Sequence, residues 1–241
     1  MTVPDALAAL LARDPARPLV TYLGPGGERT ELSVRTFENN VAKAANLLRD
    51  DADLQPGAAV SLALPVHWQT SVWLGATALL GGVAWLDGPV DDPEVEVAVL
   101  APDRIGDDRA LLTLATALHP LGMPFREPLP AGVLDAAVEV RAHGDRFAAY
   151  RPARGDDPWL RHAGRTLTQS EALAEAAQVA AALGAAPGSR VLVTAGLPGA
   201  LLALLALPLA ADVAVVLLAD PSADPAVVAG REGCATVLAA A

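Results

Sequence analysis

One order of elements occurs twice in this chain, and that repetition constrains the fold more than any single motif. Leu32-Ser33 is answered by Leu167-Thr168, Pro56-Gly57 by Pro187-Gly188, Val60 by Val191, and Leu64-Pro65 by Leu197-Pro198. Phe37, Val41, Ala44, Ala45 and Leu48 recur at helical spacing, with Ser33 as the N-cap, and Leu32–Leu48 has the same 17-residue length as Leu167–Leu183. A strand at Val83 follows Gly57 by 26 residues, and one at Val213 follows Gly188 by 25. Only four of the 17 helix positions are identical, so order and spacing carry the inference rather than the letters. The expected fold class is α/β: two similar layered subdomains with largely parallel sheets covered by helices. Independent α/β units sharing common turn chemistry remain the alternative.

The expected partition is a first subdomain over 1–100, a connecting segment over 101–157 and a second subdomain over 158–241. In the first, a short amphipathic helix ends at Asp14-Pro15. Leu19–Leu23 and Glu28–Leu32 then flank Gly24-Pro-Gly-Gly27 as a hairpin. Ala59–Leu64 reads as a buried parallel strand ended by Pro65, followed by a helix over Trp68–Leu80, a Gly81-Gly82 stop and a strand over Val83–Leu86. The connecting segment holds an apolar run, Ala110–Leu118, and a helix or strand over Val133–Val140. Arg151–Pro158 is the linker candidate.

Charge excludes several function classes. The net charge is -11, and Lys43 is the only lysine among 17 basic residues, a poor balance for binding nucleic acid. Mean hydropathy is positive, at +0.36. The charge-free stretch Gly199–Ala211 nevertheless contains Pro208 and stops at Asp212, too short for the roughly 20 residues of a membrane span, and reads as a buried helix before a strand. Asp5 and the lack of a basic leader argue against a secretory signal, so a cytoplasmic protein is expected. Cys234 is the single cysteine, and His119, His143 and His162 have no ligand spacing, so no metal is expected. Asp91-Asp92 and Asp107-Asp108 read as solvated loop charges. His67-Trp68, directly after a parallel strand, falls where α/β proteins place ligands, although a helix start with Trp68 and Trp73 in the core explains it too.

A further set of residues carries a resemblance: Arg17-Pro-Leu-Val, Thr30-Glu-Leu-Ser-Val-Arg-Thr-Phe37 with Ala42, Ala45, Asn46 and Leu48, Leu54-Gln-Pro-Gly57, Val60 and Leu64-Pro65. In this order they resemble the start of adenylate-forming enzymes, the superfamily of acyl-CoA synthetases, peptide-synthetase adenylation domains and luciferases. Gly57-Ala58 stands where Gly-Asp is usual, and Trp73–Trp85 fits the next helix and strand entry, with Gly81-Gly82-Val83 in that place. Leu167-Thr168-Gln169 resembles the Leu-Thr-His that opens a helix after the phosphate-binding loop, and Leu204–Leu218 resembles the Leu-, Gly- and Val-patterned stretch downstream of that helix. The whole chain resembles a group of short actinobacterial proteins similar to the N-terminal domain of AMP-binding enzymes.

The resemblance implies a Ser/Thr/Gly-rich loop ending in Pro-Lys-Gly, whose amides and lysine hold ATP phosphates. Asp156-Asp-Pro-Trp-Leu-Arg-His-Ala-Gly-Arg165 stands there instead, with two adjacent carboxylates, one glycine and no lysine. Only Arg161 and Arg165 could touch a phosphate. The chain also stops at Ala241, about halfway through such an enzyme, so the mobile lid and its catalytic lysine are expected to be missing. The expectation is a degenerate, non-catalytic relative that binds a ligand or a partner protein. Its pocket candidates are His67, Trp68, Arg161, Arg165 and Thr168, with no catalytic residue. No cofactor is required, and ATP or AMP is what the resemblance admits. Two alternatives stand beside it: a ligase component binding AMP, ATP or an acyl-adenylate and completed by another chain, and a structural homodimerisation module.

Overall fold

The computed structural model describes residues 1–86, 92–106, 110–194, 196 and 199–239. Its elements run α1 (Val3–Arg13), β1 (Pro18–Leu23), β2 (Arg29–Ser33), α2 (Val34–Asp50), β3 (Ala59–Ala63), α3 (Trp68–Leu80), β4 (Val83–Trp85), β5 (Val95–Leu100), β6 (Leu112–Ala115), β7 (Val133–Asp135) and α4 (Ala136–Glu139). They continue with β8 (Pro158–His162), β9 (Arg165–Thr168), α5 (Gln169–Ala182), β10 (Arg190–Val193), α6 (Leu201–Leu204), α7 (Ala206–Ala211), β11 (Ala214–Leu218), α8 (Pro225–Glu232) and β12 (Thr236–Leu238).

The strands form two sheets, ordered β12-β10-β11-β1-β2 and β7-β6-β5-β3-β4-β8-β9. All described pairings are parallel except the hairpins β1-β2 and β8-β9. The repeat is therefore real, with an exchange that chain order alone conceals. Hairpin β1-β2 precedes α2 yet joins the sheet of β10 and β11, through β1-β11. Hairpin β8-β9 precedes α5 yet joins the sheet of β3 and β4, through β4-β8. The partition at 100 and 157 accordingly does not separate the sheets, and the segment 101–157 contributes β6 and β7 to the larger one.

The correspondence extends to single hydrogen bonds. Both hairpins slip register after their first proline, between Pro18 and Val20 and between Pro158 and Leu160. The Arg17 carbonyl accepts from Val34 N–H at 3.0 Å, and the Asp157 carbonyl accepts from Gln169 N–H at 3.0 Å. The Val83 amide donates to Ala58 O at 2.8 Å, and the Ala214 amide to Ser189 O at 2.9 Å. Ala214 is thus the partner of Val83, one residue later than the spacing from Val213 predicts. The two helices differ as well, with 17 residues in α2 and 14 in α5.

Alternation along the strands builds the core. Val60, Leu62, Val97 and Val99 of one sheet and Val191, Val193, Val215 and Leu217 of the other face the helices and join them in one hydrophobic cluster. Helix α3 is buried nearly all round and touches β1 of one sheet and β3 and β4 of the other, so it lies between the sheets. A Cβ on Gly75 of this helix would come within 2.8 Å of Val41 Cγ2, which explains a glycine in mid-helix at the α2–α3 contact. The helix expected over Gly199–Ala211 is broken at Leu205. Pro208 has no N–H for the Leu204 carbonyl four residues back, and its ring crowds that turn, so α6 and α7 are separate.

The linker candidate is pinned rather than loose. Gly155 O accepts from Ser170 N–H at 2.9 Å, and Arg151 holds Asp157 by two bonds of 2.9 and 2.7 Å. Leu197-Pro198, Asp91 and Asp107-Asp108 lie outside the described residues. Among those described, no helix is long and apolar enough to cross a membrane.

Candidate functional site

His67 sits just past the carboxyl end of β3 as the N-cap of α3, its Nδ1 accepting from Gln69 N–H at 3.1 Å. Accepting there requires the neutral tautomer with the proton on Nε2. Burial supplies the reason for neutrality, lowering the imidazole pKa to about 4, with a Leu118 backbone contact opposing. The ring meets Tyr22 edge-on at 4.2 Å between centroids. His67 is therefore a buried cap on the helix, uncharged at neutral pH.

Trp68 begins α3. Its indole N–H donates to Pro120 O at 3.1 Å, and Thr30 Oγ1 donates to the same oxygen at 2.6 Å, which fixes the loop around residues 120–122. The Trp68 side chain also forms part of the wall of a cleft of about 460 Å³. Other walls come from β2, from the Thr36, Asn40 and Lys43 face of α2, from Val72 and Trp73, and from Arg141 just beyond α4. A cavity of this size suits a small organic molecule. The polar stripe Thr36-Asn40-Lys43, spaced four and three residues apart on one helix, is a signal in the sequence that motif reasoning misses. Arg141 gives no such signal, because the return of the chain through β6 and β7 is what brings it to α2.

The other three candidates lie on or beside hairpin β8-β9, away from this cleft. Arg161 stacks on Trp85, with Cζ 3.7 Å from the ring centroid, and lies 3.8 Å from Glu94. Arg165 is engaged by Glu175. Thr168 caps α5 in a box with Glu171, donating its N–H to Glu171 Oε2 at 2.9 Å. The five candidates therefore do not form one pocket: Arg161 and Arg165 line separate clefts of about 440 and 370 Å³.

The hairpin itself closes through Ala163-Gly164, with φ of 50° and 71°. Two residues of positive φ make the tightest hairpin turn and leave no run of free amides around an anion. Trp159 is fully buried and donates to Leu74 O at 3.0 Å, anchoring β8 to α3. The Arg151 hydrogen bond holds Asp157 below the usual carboxylate range, so it stays charged. Gln169 is also fully buried, accepting from Val3 N–H and donating to Ala78 O, each at 2.9 Å. These residues do not fit a nucleoside triphosphate: the turn is too short to wrap it, one arginine is stacked, the other is paired, and the nearby aspartate is charged.

No protein-family model matches the chain. A TIGR03089 family protein of Mycobacterium tuberculosis is 37% identical over 253 residues, covering 96% of this chain and 96% of that one. The chain belongs to the TIGR03089 family. Solved structures show the fold of this TIGR03089 protein to be that of the N-terminal region of adenylate-forming enzymes. An acetoacetyl-CoA synthetase from Streptomyces lividans superposes with TM-score 0.74 at 20% identity, and a Brucella canis acyl-CoA synthetase with 0.74 at 18%. An anthranilate CoA ligase in complex with anthranoyl-AMP gives 0.72 at 15%. These matches cover 97%, 98% and 90% of the TIGR03089 chain but 41%, 50% and 45% of the enzymes, so it spans half their length or less.

Proposed function

We propose that this TIGR03089 protein is a non-catalytic relative of the adenylate-forming enzymes that acts in the cytoplasm by binding a small ligand or a partner protein. One observation carries the reading: hairpin β8-β9 closes in two residues, Ala163-Gly164, at the place where the resemblance calls for a phosphate-binding loop. Transfer of an adenylyl group requires the triphosphate to be held in line while charge builds on it, and this turn offers neither wrapped amides nor a lysine. The test is pyrophosphate release from magnesium ATP in the presence of a panel of aliphatic and aromatic carboxylic acids. No release above the protein-free rate is expected, and stoichiometric or catalytic release overturns the reading.

A second reading, a ligase component completed by another chain, draws on the likeness to a ligase that holds anthranoyl-AMP. Thermal-shift titration with ATP, AMP and an acyl-adenylate analogue separates the two. A melting temperature flat across all three counts against the ligase component.

A further inference from the structure

Lys43 is the only lysine of a chain with net charge -11, and it stands half-buried in the 460 Å³ cleft with no carboxylate partner among the described residues. Glu31 is the only acid in the cleft wall among the described residues, and its Oε2 already accepts from Thr21 and Arg29, at 3.0 and 2.8 Å, and from Arg190 at 3.3 Å. Arg141, the second cation of the wall, donates from Nη2 to the Gly122 carbonyl at 3.1 Å and lies 3.7 Å from Met123 Sδ, again without a carboxylate among the described residues. Two cations with no carboxylate partner among the described residues face a space that water and a ligand can share, in a protein whose other described arginines are mostly paired with acids or stacked. A partly desolvated cation gains most from an anion that reaches it. Trp68, Val72 and Trp73 supply an apolar wall beside these charges, and Leu121 is a well-exposed apolar side chain on the wall. Gln69 also lines the wall.

We propose that this cleft is a binding site for a small organic anion, with its acidic head on Lys43 and Arg141 and its apolar or aromatic body against Trp68, Val72 and Trp73. The proposal rests on reading the protein as a binder, and it places the ligand away from hairpin β8-β9.

The probe pair is 8-anilinonaphthalene-1-sulfonate and its uncharged counterpart N-phenyl-1-naphthylamine, titrated by fluorescence at low ionic strength, where charge contributions are least screened. Saturable binding of the sulfonate is expected. Lys43→Gln with Arg141→Gln is expected to weaken it at least tenfold while changing binding of the neutral probe less than twofold. Ala137→Trp, which fills the cleft without altering charge, is expected to abolish both, and circular dichroism confirms that each variant is folded. No saturable sulfonate binding, or equal loss of the two probes in the double glutamine variant, overturns the proposal. Pyrophosphate release by the unaltered protein defeats the non-catalytic reading instead, and it leaves the charge dependence of the probe as a separate result.

Discussion

Asp212 occupies in the second half the left-handed backbone position that Gly81 occupies in the first. Gly81 has φ 74° and Asp212 φ 58°, and their carbonyls accept from the amides of Gly57 and Gly188 at 2.8 and 2.7 Å. A glycine takes this conformation without strain, whereas an aspartate needs support. Arg13 and Arg17, from α1 and from the approach to β1, both bind the Asp212 carboxylate. Asp212→Asn keeps a residue tolerant of positive φ but removes the charge, and about 1 kcal/mol of stability should be lost. Asp212→Ala should lose roughly a further 1 kcal/mol from the strained backbone. Urea unfolding ranks the two, and an alanine variant as stable as the asparagine variant contradicts the backbone argument.

Burial of His67 makes stability depend on pH. Its folded pKa, about 4, lies below the unfolded value near 6.5, so the unfolded chain binds the proton more readily. Stability is fully present above pH 6.5 and declines as pH falls toward 4, by up to the order of 3 kcal/mol. His67→Asn preserves an N-cap side chain and removes the titration. Denaturation midpoints measured between pH 7 and 4.5 should slope in the native protein and flatten in the variant. Parallel slopes would assign the dependence to other groups.

Gly75 and Val41 can be tested as a pair. Gly75→Ala puts a methyl 2.8 Å from Val41 Cγ2 and 3.2 Å from Cγ1, and a β-branched side chain in a helix has little freedom to turn aside. A loss of about 1–3 kcal/mol is expected. In the Val41→Ala background the same change should cost much less, because the obstructing methyls are gone. A double-mutant cycle with no coupling energy refutes this account.

The exchanged hairpins predict mutual dependence of the halves. Fragments 1–157 and 158–241 each contain a hairpin whose sheet lies in the other, since β1 pairs with β11 and β4 with β8. Neither fragment alone should unfold cooperatively, and an equimolar mixture should recover native-like circular dichroism and a cooperative transition. A cooperative transition in either isolated fragment counts against the prediction.

Much of the local structure is legible in the sequence because local chemistry decides it. Ser33 caps a helix as its spacing implies, and Gly24–Gly27 turns a hairpin. The exchange of hairpins is not legible, because β1 and β2 are the same sequence whichever sheet they join. Only the edge left open beside β11 decides the matter. Pro208 marks a break that helical periodicity smooths over. Around the cleft, Trp68 is visible from its place after a strand, but Arg141 is not, since no sequence pattern links it to Lys43. The arginines of hairpin β8-β9 stand out by charge alone, but Trp85, which lies far back along the chain, and Glu175, two turns into the next helix, decide what those charges are free to do.

The partner of the first strand also sets a timetable. A ribosome releases Pro18–Leu23 well before it makes the neighbour this strand needs, Ala214–Leu218, because most of the intervening fold lies between them in the chain. Until that neighbour arrives the nascent hairpin carries an unsatisfied apolar edge, open to wrong strands and dependent on whatever shields it. Closure of the smaller sheet thus has to wait for β11, and a product stalled or cut short before it would carry that sticky edge permanently.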